Sequence, residues 1–222
     1  MRIAGIDEAG KGPVIGPMCV GGVLMEESRI SALKNLGVAD SKKLTPKKRE
    51  MLALQIEKYA LQVFVLEITP QQIDELRKLM TMNEIMVLAF SRVLEELNPD
   101  VAFVDAADVS EERFGKRLLL EYEKKYSEKA GCMSVISKHQ ADCIYPIVSA
   151  ASIVAKVRRD SLIEELKKEI GVDFGSGYPS DPKTKQFLQD WFKEQGELPG
   201  IVRHSWKTAV NVIRSPSNQR NE

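Results

Sequence analysis

The chain has 222 residues, a hydrophobic fraction of 43%, a charged fraction of 29% and a formal net charge of zero at neutral pH. That length suits one sizeable domain with a full core, and the even charge balance argues against a histone-like coating of nucleic acid. No apolar run approaches the roughly 20 residues of a membrane span, and the N-terminus enters a strand directly with no signal-peptide pattern, so no membrane and a cytoplasmic location are expected.

Residues 2–8 and 14–25 are apolar, contain glycine and are separated by a tight turn, which predicts an antiparallel hairpin. A short helix over 28–35 leads to the polar loop Asp40-Ser41-Lys42-Lys43, and Thr45-Pro46 opens a helix to about Tyr59. Leu61 to Ile68 is rich in strand formers, and Thr69-Pro70-Gln71-Gln72 is a capping-box start. Helical periodicity runs from Met82 to Leu97, a short buried strand from Asp100 to Ala106, and a charged helix from Ser110 to about Ser127. Cys132 to Ser137 reads as a fifth strand, and 143–170 as one long helix that opens on small residues and so can lie close to the sheet. After the loop at 174–179, Asp181-Pro182 starts a helix to Gln195, and a last helix covers about 205–213. The order is a hairpin plus a third strand, then alternating helix and strand, then helices only. This predicts an α/β fold, a mixed five-stranded sheet flanked by helices with a helical C-terminal part. Cys19, Cys132 and Cys143 have apolar neighbours and no C-x-x-C spacing, so they are expected as small core residues.

Asp7 and Glu8 are adjacent where the first strand meets Ala9-Gly10-Lys11-Gly12. Neighbouring side chains on a strand point to opposite faces, so the two acids share a site only if the strand ends at Glu8. Close carboxylates repel until one takes a proton or both hold a cation. Gly10 and Gly12 let backbone N–H groups approach a ligand, with Lys11 between them. A solvated hairpin turn is the alternative. Asp105 ends the fourth strand and Asp142 follows the fifth. Singly they read as a strand-end acid in solvent and a helix cap; together with Asp7 and Glu8 they place acids at the ends of strands that should be neighbours. An all-oxygen set of this kind suits Mg²⁺ or Mn²⁺ rather than Zn²⁺.

The ordered segments Gly5-Ile6-Asp7-Glu8-Ala9-Gly10-Lys11-Gly12, Asp40-Ser41-Lys42-Lys43-Leu44, Val104-Asp105 and His139-Gln140-Ala141-Asp142 resemble ribonuclease HII, the type 2 ribonuclease H family. So do Ala150-Ala151-Ser152-Ile153-Val154-Ala155-Lys156-Val157, Gly175-Ser176-Gly177-Tyr178-Pro179-Ser180-Asp181-Pro182 and Ser205-Trp206-Lys207-Thr208. Glycine-lysine-glycine resembles the archaeal branch. Gln140 stands where the family pattern has lysine.

The resemblance implies a ribonuclease H-like catalytic domain over 1–172, a helical substrate-binding part over 173–214 and a flexible tail over 215–222. It implies an endonuclease that cleaves RNA in RNA–DNA hybrids and single ribonucleotides embedded in duplex DNA. Two Mg²⁺ or Mn²⁺ ions would be held by Asp7, Glu8, Asp105 and Asp142, and the products would carry 5′-phosphate and 3′-hydroxyl ends. Gly10, Lys11 and Gly12 would read the 2′-hydroxyl, and Tyr178 would lie against the sugar beside it. Lys42 and Lys156 are expected to contact phosphates, and a monomer is expected. His139 and His204 are given no role. The tail lacks a Gln-x-x-apolar-x-x-aromatic-aromatic pattern, so a sliding-clamp contact is not expected. The competing readings are an actin-like small-molecule kinase and a non-catalytic hybrid-binding protein.

Overall fold

The computed structural model describes residues 1–38, 44–126 and 131–215. Lys42, with the 40–43 loop, and positions 216–222 of the expected tail lie outside the described residues.

The strand β1 (Arg2–Ala9) is central in a mixed sheet, and its run Ile3-Ala4-Gly5-Ile6 is buried, as a strand covered on both faces requires. β2 (Met18–Glu26) returns antiparallel to it, in register from Arg2↔Glu26 to Ala9↔Cys19. β2 starts later than position 14 because the residues before it are claimed elsewhere. The N–H groups of Val14 and Ile15 donate to Gly177 O at 2.8 and 3.2 Å, and Ile15 bridges Val202.

A short 3-10 turn leads into α1 (Ile30–Leu36), and α2 (Pro46–Tyr59) precedes β3 (Gln62–Ile68). Then come α3 (Pro70–Leu79), α4 (Met82–Leu97), β4 (Val101–Asp105), α5 (Glu111–Lys125) and β5 (Ser134–Lys138). Among the described residues the sheet order is β3-β2-β1-β4-β5, with β4 parallel to both β1 and β5. The helix starts follow local chemistry. Thr45, Thr69, Thr81 and Ser110 each accept a backbone N–H from the first turn, and Thr69 and Thr81 complete capping boxes with Gln72 and Glu84. Such a cap contributes about 1 kcal/mol.

The single long helix expected from 143 is two helices, α6 (Ala141–Ile144) and α7 (Pro146–Ile170). Pro146 brings no N–H and pushes the residue before it out of the helical region, and Tyr145 is indeed extended at φ −113 and ψ 116. The expected small residues do bring α7 close to the sheet. A Cβ on Gly5 would lie 2.2 Å from Ile147 O, and one on Gly21 2.6 Å from Ala151 O. Gly22 points the other way, where a Cβ would meet Val93 and Leu97 of α4. The sheet is thus covered by α7 on one face and α4 on the other. Cys19 is buried as expected, but Cys132 and Cys143 are exposed, since they fall in the turn before β5 and on the outer side of α6.

After α7 come α8 (Pro182–Gln195), capped by Asp181, and α9 (Lys207–Ile213). The chain forms two compact units. Among the described residues, one holds those of 1–9, 19–67 and 81–158, and the other those of 10–18, 68–80 and 159–222. These boundaries differ from a simple break at 172, because the turn after β1 and the α3 segment pack with the C-terminal helices. In that second unit Asp74 accepts the N–H groups of His204 and Ser205 at 2.7 and 3.0 Å. Val14, Ile15, Phe174, Phe187, Leu188 and Val202 belong to its core. No helix among the described residues is long and apolar enough to cross a membrane.

Candidate active site

In the sheet unit, β1 pairs with β4 only from Ile3↔Val101 to Ile6↔Val104. Asp7 and Asp105 are the next residues on the two parallel strands, so they emerge side by side. On its other edge β1 stays paired with β2 through Glu8↔Val20 and Ala9↔Cys19. The strand therefore does not end at Glu8, as expected from its sequence; it ends on the β4 side alone, and that suffices. The Glu8 N–H donates back to Asp7 Oδ1 at 2.7 Å, and carboxylate oxygens of Asp7, Glu8 and Asp105 all lie within 4.8 Å of one another.

Asp105 is fixed from the other side. It pairs with Lys138 across β5, and its Oδ1 accepts the Ala141 N–H at 2.8 Å. Asp142, the next residue, is buried in the first turn of α6. It is not one of the three carboxylates that fall within 4.8 Å of each other. The structure thus gathers three of the four expected acids and puts the fourth one residue from the peptide that anchors Asp105.

Burial pushes the Asp7 carboxyl well above its ordinary range, and the charges of Glu8 and Asp105 push it further the same way. The Ser152 hydroxyl and the Glu8 N–H oppose this by hydrogen-bonding the ionised form. Ser152, on α7, is a site residue that the sequence reading missed; only its place in the small-residue run hinted at close packing. Lys156 is half-buried one helical turn beyond it. The donor set is three carboxylates with no His or Cys, and burial and like charge raise the Asp7 carboxyl among them. Those residues fit a hard divalent cation. His139 is outside the cluster, with its ring 3.4 Å from Val109 O, and the ring of His204 is 3.4 Å from Pro199 O.

In the second unit the 10–12 turn stands against Tyr178. A Cβ on Gly12 would lie 3.7 Å from Tyr178 Cε1, and the Arg159 guanidinium is 5.4 Å from the Tyr178 ring centre. Gly10 has φ +87, and a Cβ there would sit 2.7 Å from Arg159 Nε, so only glycine fits. Tyr178 itself is 39% exposed. Arg159 and Arg203 are buried beneath the turn, and neither was singled out as a site residue in the sequence.

A sequence profile described as ribonuclease HII matches residues 4–209. The chain belongs to the ribonuclease HII family. The ribonuclease HII of Methanosarcina barkeri is 68% identical over 213 residues, covering 96% of this chain and 95% of that protein. The ribonuclease HII of Thermococcus kodakarensis is 46% identical, covering 99% and 93%. Among solved structures, ribonuclease H2 from Pyrococcus horikoshii matches with a TM-score of 0.90 at 42% identity over the whole of both chains. A chain of the PCNA:RNase HII complex from Archaeoglobus fulgidus matches with a TM-score of 0.82 at 44% identity, covering 93% and 96%. As a ribonuclease HII family member the protein is a metal-dependent endonuclease that hydrolyses RNA in RNA–DNA hybrids. The kinase and non-catalytic readings fall away, and the resemblance to the archaeal branch holds.

Proposed function

We propose that this ribonuclease cleaves both RNA–DNA hybrids and single ribonucleotides embedded in duplex DNA, leaving 5′-phosphate and 3′-hydroxyl ends. The observation that carries the reading is the convergence of Asp7, Glu8 and Asp105 within 4.8 Å, with Asp7 strained toward its protonated form. Asp7, Glu8, Asp105 and Asp142 hold two Mg²⁺ or Mn²⁺ ions. Bound ions of this kind supply the positive charge that makes a water nucleophilic and a 3′ oxygen a tolerable leaving group. The protein's part is to fix the acids: Ser152 and the Glu8 N–H orient Asp7, and the Ala141 N–H orients Asp105. Departure of the 3′ oxygen leaves the phosphate on the 5′ side of the downstream product.

Selection of RNA requires sensing the 2′-hydroxyl, the group that separates RNA from DNA. The bare backbone of Gly10, Lys11 and Gly12 reads it, and the exposed face of Tyr178 packs on the neighbouring sugar. Lys42 and Lys156 hold phosphates, and the helical C-terminal part over 173–214 follows the duplex backbone. The protein acts as a monomer.

The test is a labelled duplex with one ribonucleotide, assayed beside a full hybrid and an all-DNA duplex, with and without chelator. Cleavage of the first two only, dependent on divalent metal and yielding a 3′ end that a polymerase extends directly, is expected. Ends carrying a 2′,3′-cyclic phosphate would mean that the 2′-hydroxyl attacks, and would refute the water mechanism.

A further inference from the structure

Arg203 has no solvent exposure, yet its guanidinium is directed into the 10–16 segment rather than toward solvent. It donates to Gly10 O at 2.6 Å, to Lys11 O at 3.1 Å and to Gly16 O at 3.0 Å. Its own N–H donates to Val14 O at 2.8 Å, so backbone and side chain grip the same segment. Trp206 adds the next link: its indole N–H donates to Gly12 O at 3.1 Å, and its ring lies 4.9 Å from the Arg203 guanidinium. The carbonyls of residues 10, 11 and 12 are therefore all taken by two side chains.

This fixes which way the peptides face. A trans peptide is planar and points its C=O and N–H in opposite directions. With Gly10 O and Lys11 O turned to Arg203, the N–H groups of Lys11 and Gly12 are turned away from it. The following residue is Pro13, which has no N–H, so the row of donors stops after two. Gly12 is exposed, and Tyr178 is its neighbour. Two adjacent N–H groups beside the exposed Tyr178 ring suit one oxygen acceptor on a sugar.

We propose that Arg203 is a positioning residue for ribose discrimination: from inside the unit it sets the peptide orientation that aims the Lys11 and Gly12 N–H groups at the 2′-hydroxyl. The proposal rests on the reading of this turn as the ribose sensor. Arg203 does not touch the substrate. It acts through the turn, with planar geometry that lysine cannot reproduce, because an ammonium is a compact donor without a fixed fork.

The experiment uses the full chain and two variants, Arg203→Lys and Arg203→Gln, at a temperature where circular dichroism shows each folded. Single-turnover cleavage is measured on the one-ribonucleotide duplex. Binding to that duplex and to its all-DNA counterpart is measured in chelator. We expect Arg203→Lys to slow cleavage on the order of 10²-fold, the scale of a misplaced reacting group, while all-DNA affinity stays within about twofold. The wild-type preference for the ribonucleotide duplex should shrink toward unity. Unchanged preference and rate in Arg203→Lys would overturn the proposal. So would rate and all-DNA affinity falling together, or both variants failing to fold, since each assigns Arg203 to the fold alone. A wild-type protein that cleaves all-DNA and ribonucleotide duplexes alike would instead overturn the reading of function.

Discussion

The backbone N–H of Ala141 donates to Asp105 Oδ1 at 2.8 Å, so the start of α6 is moored to a carboxylate at the end of β4. Asparagine keeps that acceptor oxygen and loses only the charge. Asp105→Asn should therefore fold normally and lose most of its activity, whereas Asp105→Ala should also melt lower, by about 1 kcal/mol for the lost hydrogen bond. Melting curves and cleavage rates for the two variants check this. Near-normal cleavage by Asp105→Asn would remove the residue from the site. Asp7→Asn and Asp142→Asn should likewise lose most activity while staying folded.

Chelation separates chemistry from folding. The acids sit on strands and a helix with their own apolar core, so removal of metal should abolish cleavage and leave the far-ultraviolet dichroism unchanged. Mg²⁺ or Mn²⁺ should restore activity, while Ca²⁺ should bind and support little turnover because its looser coordination places reacting oxygens poorly. Full activity in excess chelator would refute metal dependence at this site.

The raised Asp7 carboxyl gives a pH signature. Below the ordinary value of 3.8 both folded and unfolded chains hold the proton, and the contribution to stability is fully present. Between 3.8 and the raised folded value the unfolded chain has lost its proton while the fold still holds one, so stability falls across that window as pH rises. In chelator, the melting-temperature advantage of Asp7→Asn over the wild type should widen with rising pH and close toward pH 3.8. Added Mg²⁺ should narrow it. An advantage independent of pH would show that Asp7 ionises in the fold without cost.

In the proposed sugar contact the Tyr178 ring supplies more of the surface than its hydroxyl does. Tyr178→Ala should slow cleavage at one embedded ribonucleotide on the order of 10²-fold, more than it weakens duplex binding, and Tyr178→Phe should be mild. Lys42→Ala and Lys156→Ala should weaken all substrates together and flatten the salt dependence, as loss of a phosphate contact does. Equal losses in rate and binding for Tyr178→Ala would reassign it to general affinity.

Gly21 stands opposite Asp7 on β2, and a Cβ there would lie 2.6 Å from the Ala151 carbonyl. Gly21→Ala must push α7 from the sheet, and Ser152 moves with it. A destabilisation of about 1–3 kcal/mol is expected, with loss of activity beyond what unfolding explains. Denaturant titration together with a rate measured on fully folded protein distinguishes the two effects.

Local features of this fold were legible in the sequence. Thr69 and Thr81 carry their capping partners three residues on, and Asp7-Glu8 announces itself by adjacency. The convergence of Asp7 with Asp105 also followed, because strand order and parallel pairing can be inferred from the alternation of elements. What escaped depends on contacts that sequence spacing does not encode. Arg203 reaches Gly10 across 193 positions, and Ser152 reaches Asp7 from a helix on the sheet's face. Pro146 was overlooked because the small residues after it read as one uninterrupted helix. Cys132 and Cys143 were misplaced because apolar neighbours in sequence need not be neighbours in space.

The pairing of Ile3 with Val101 also sets the order of events at birth. Asp7 and Glu8 leave the ribosome early, and with β2 they can form only a hairpin. Asp105, the Ala141 anchor and Ser152 are all made later, and such long-range parallel pairing is slow to form. The acids of β1 and β4 and the serine that orients Asp7 can thus come together only once α7 has been made. Ribosome-bound chains halted before Ser152 should show no cleavage of a hybrid, and chains released at full length should gain it. Activity in the halted chains would mean that β1 and β4 suffice alone.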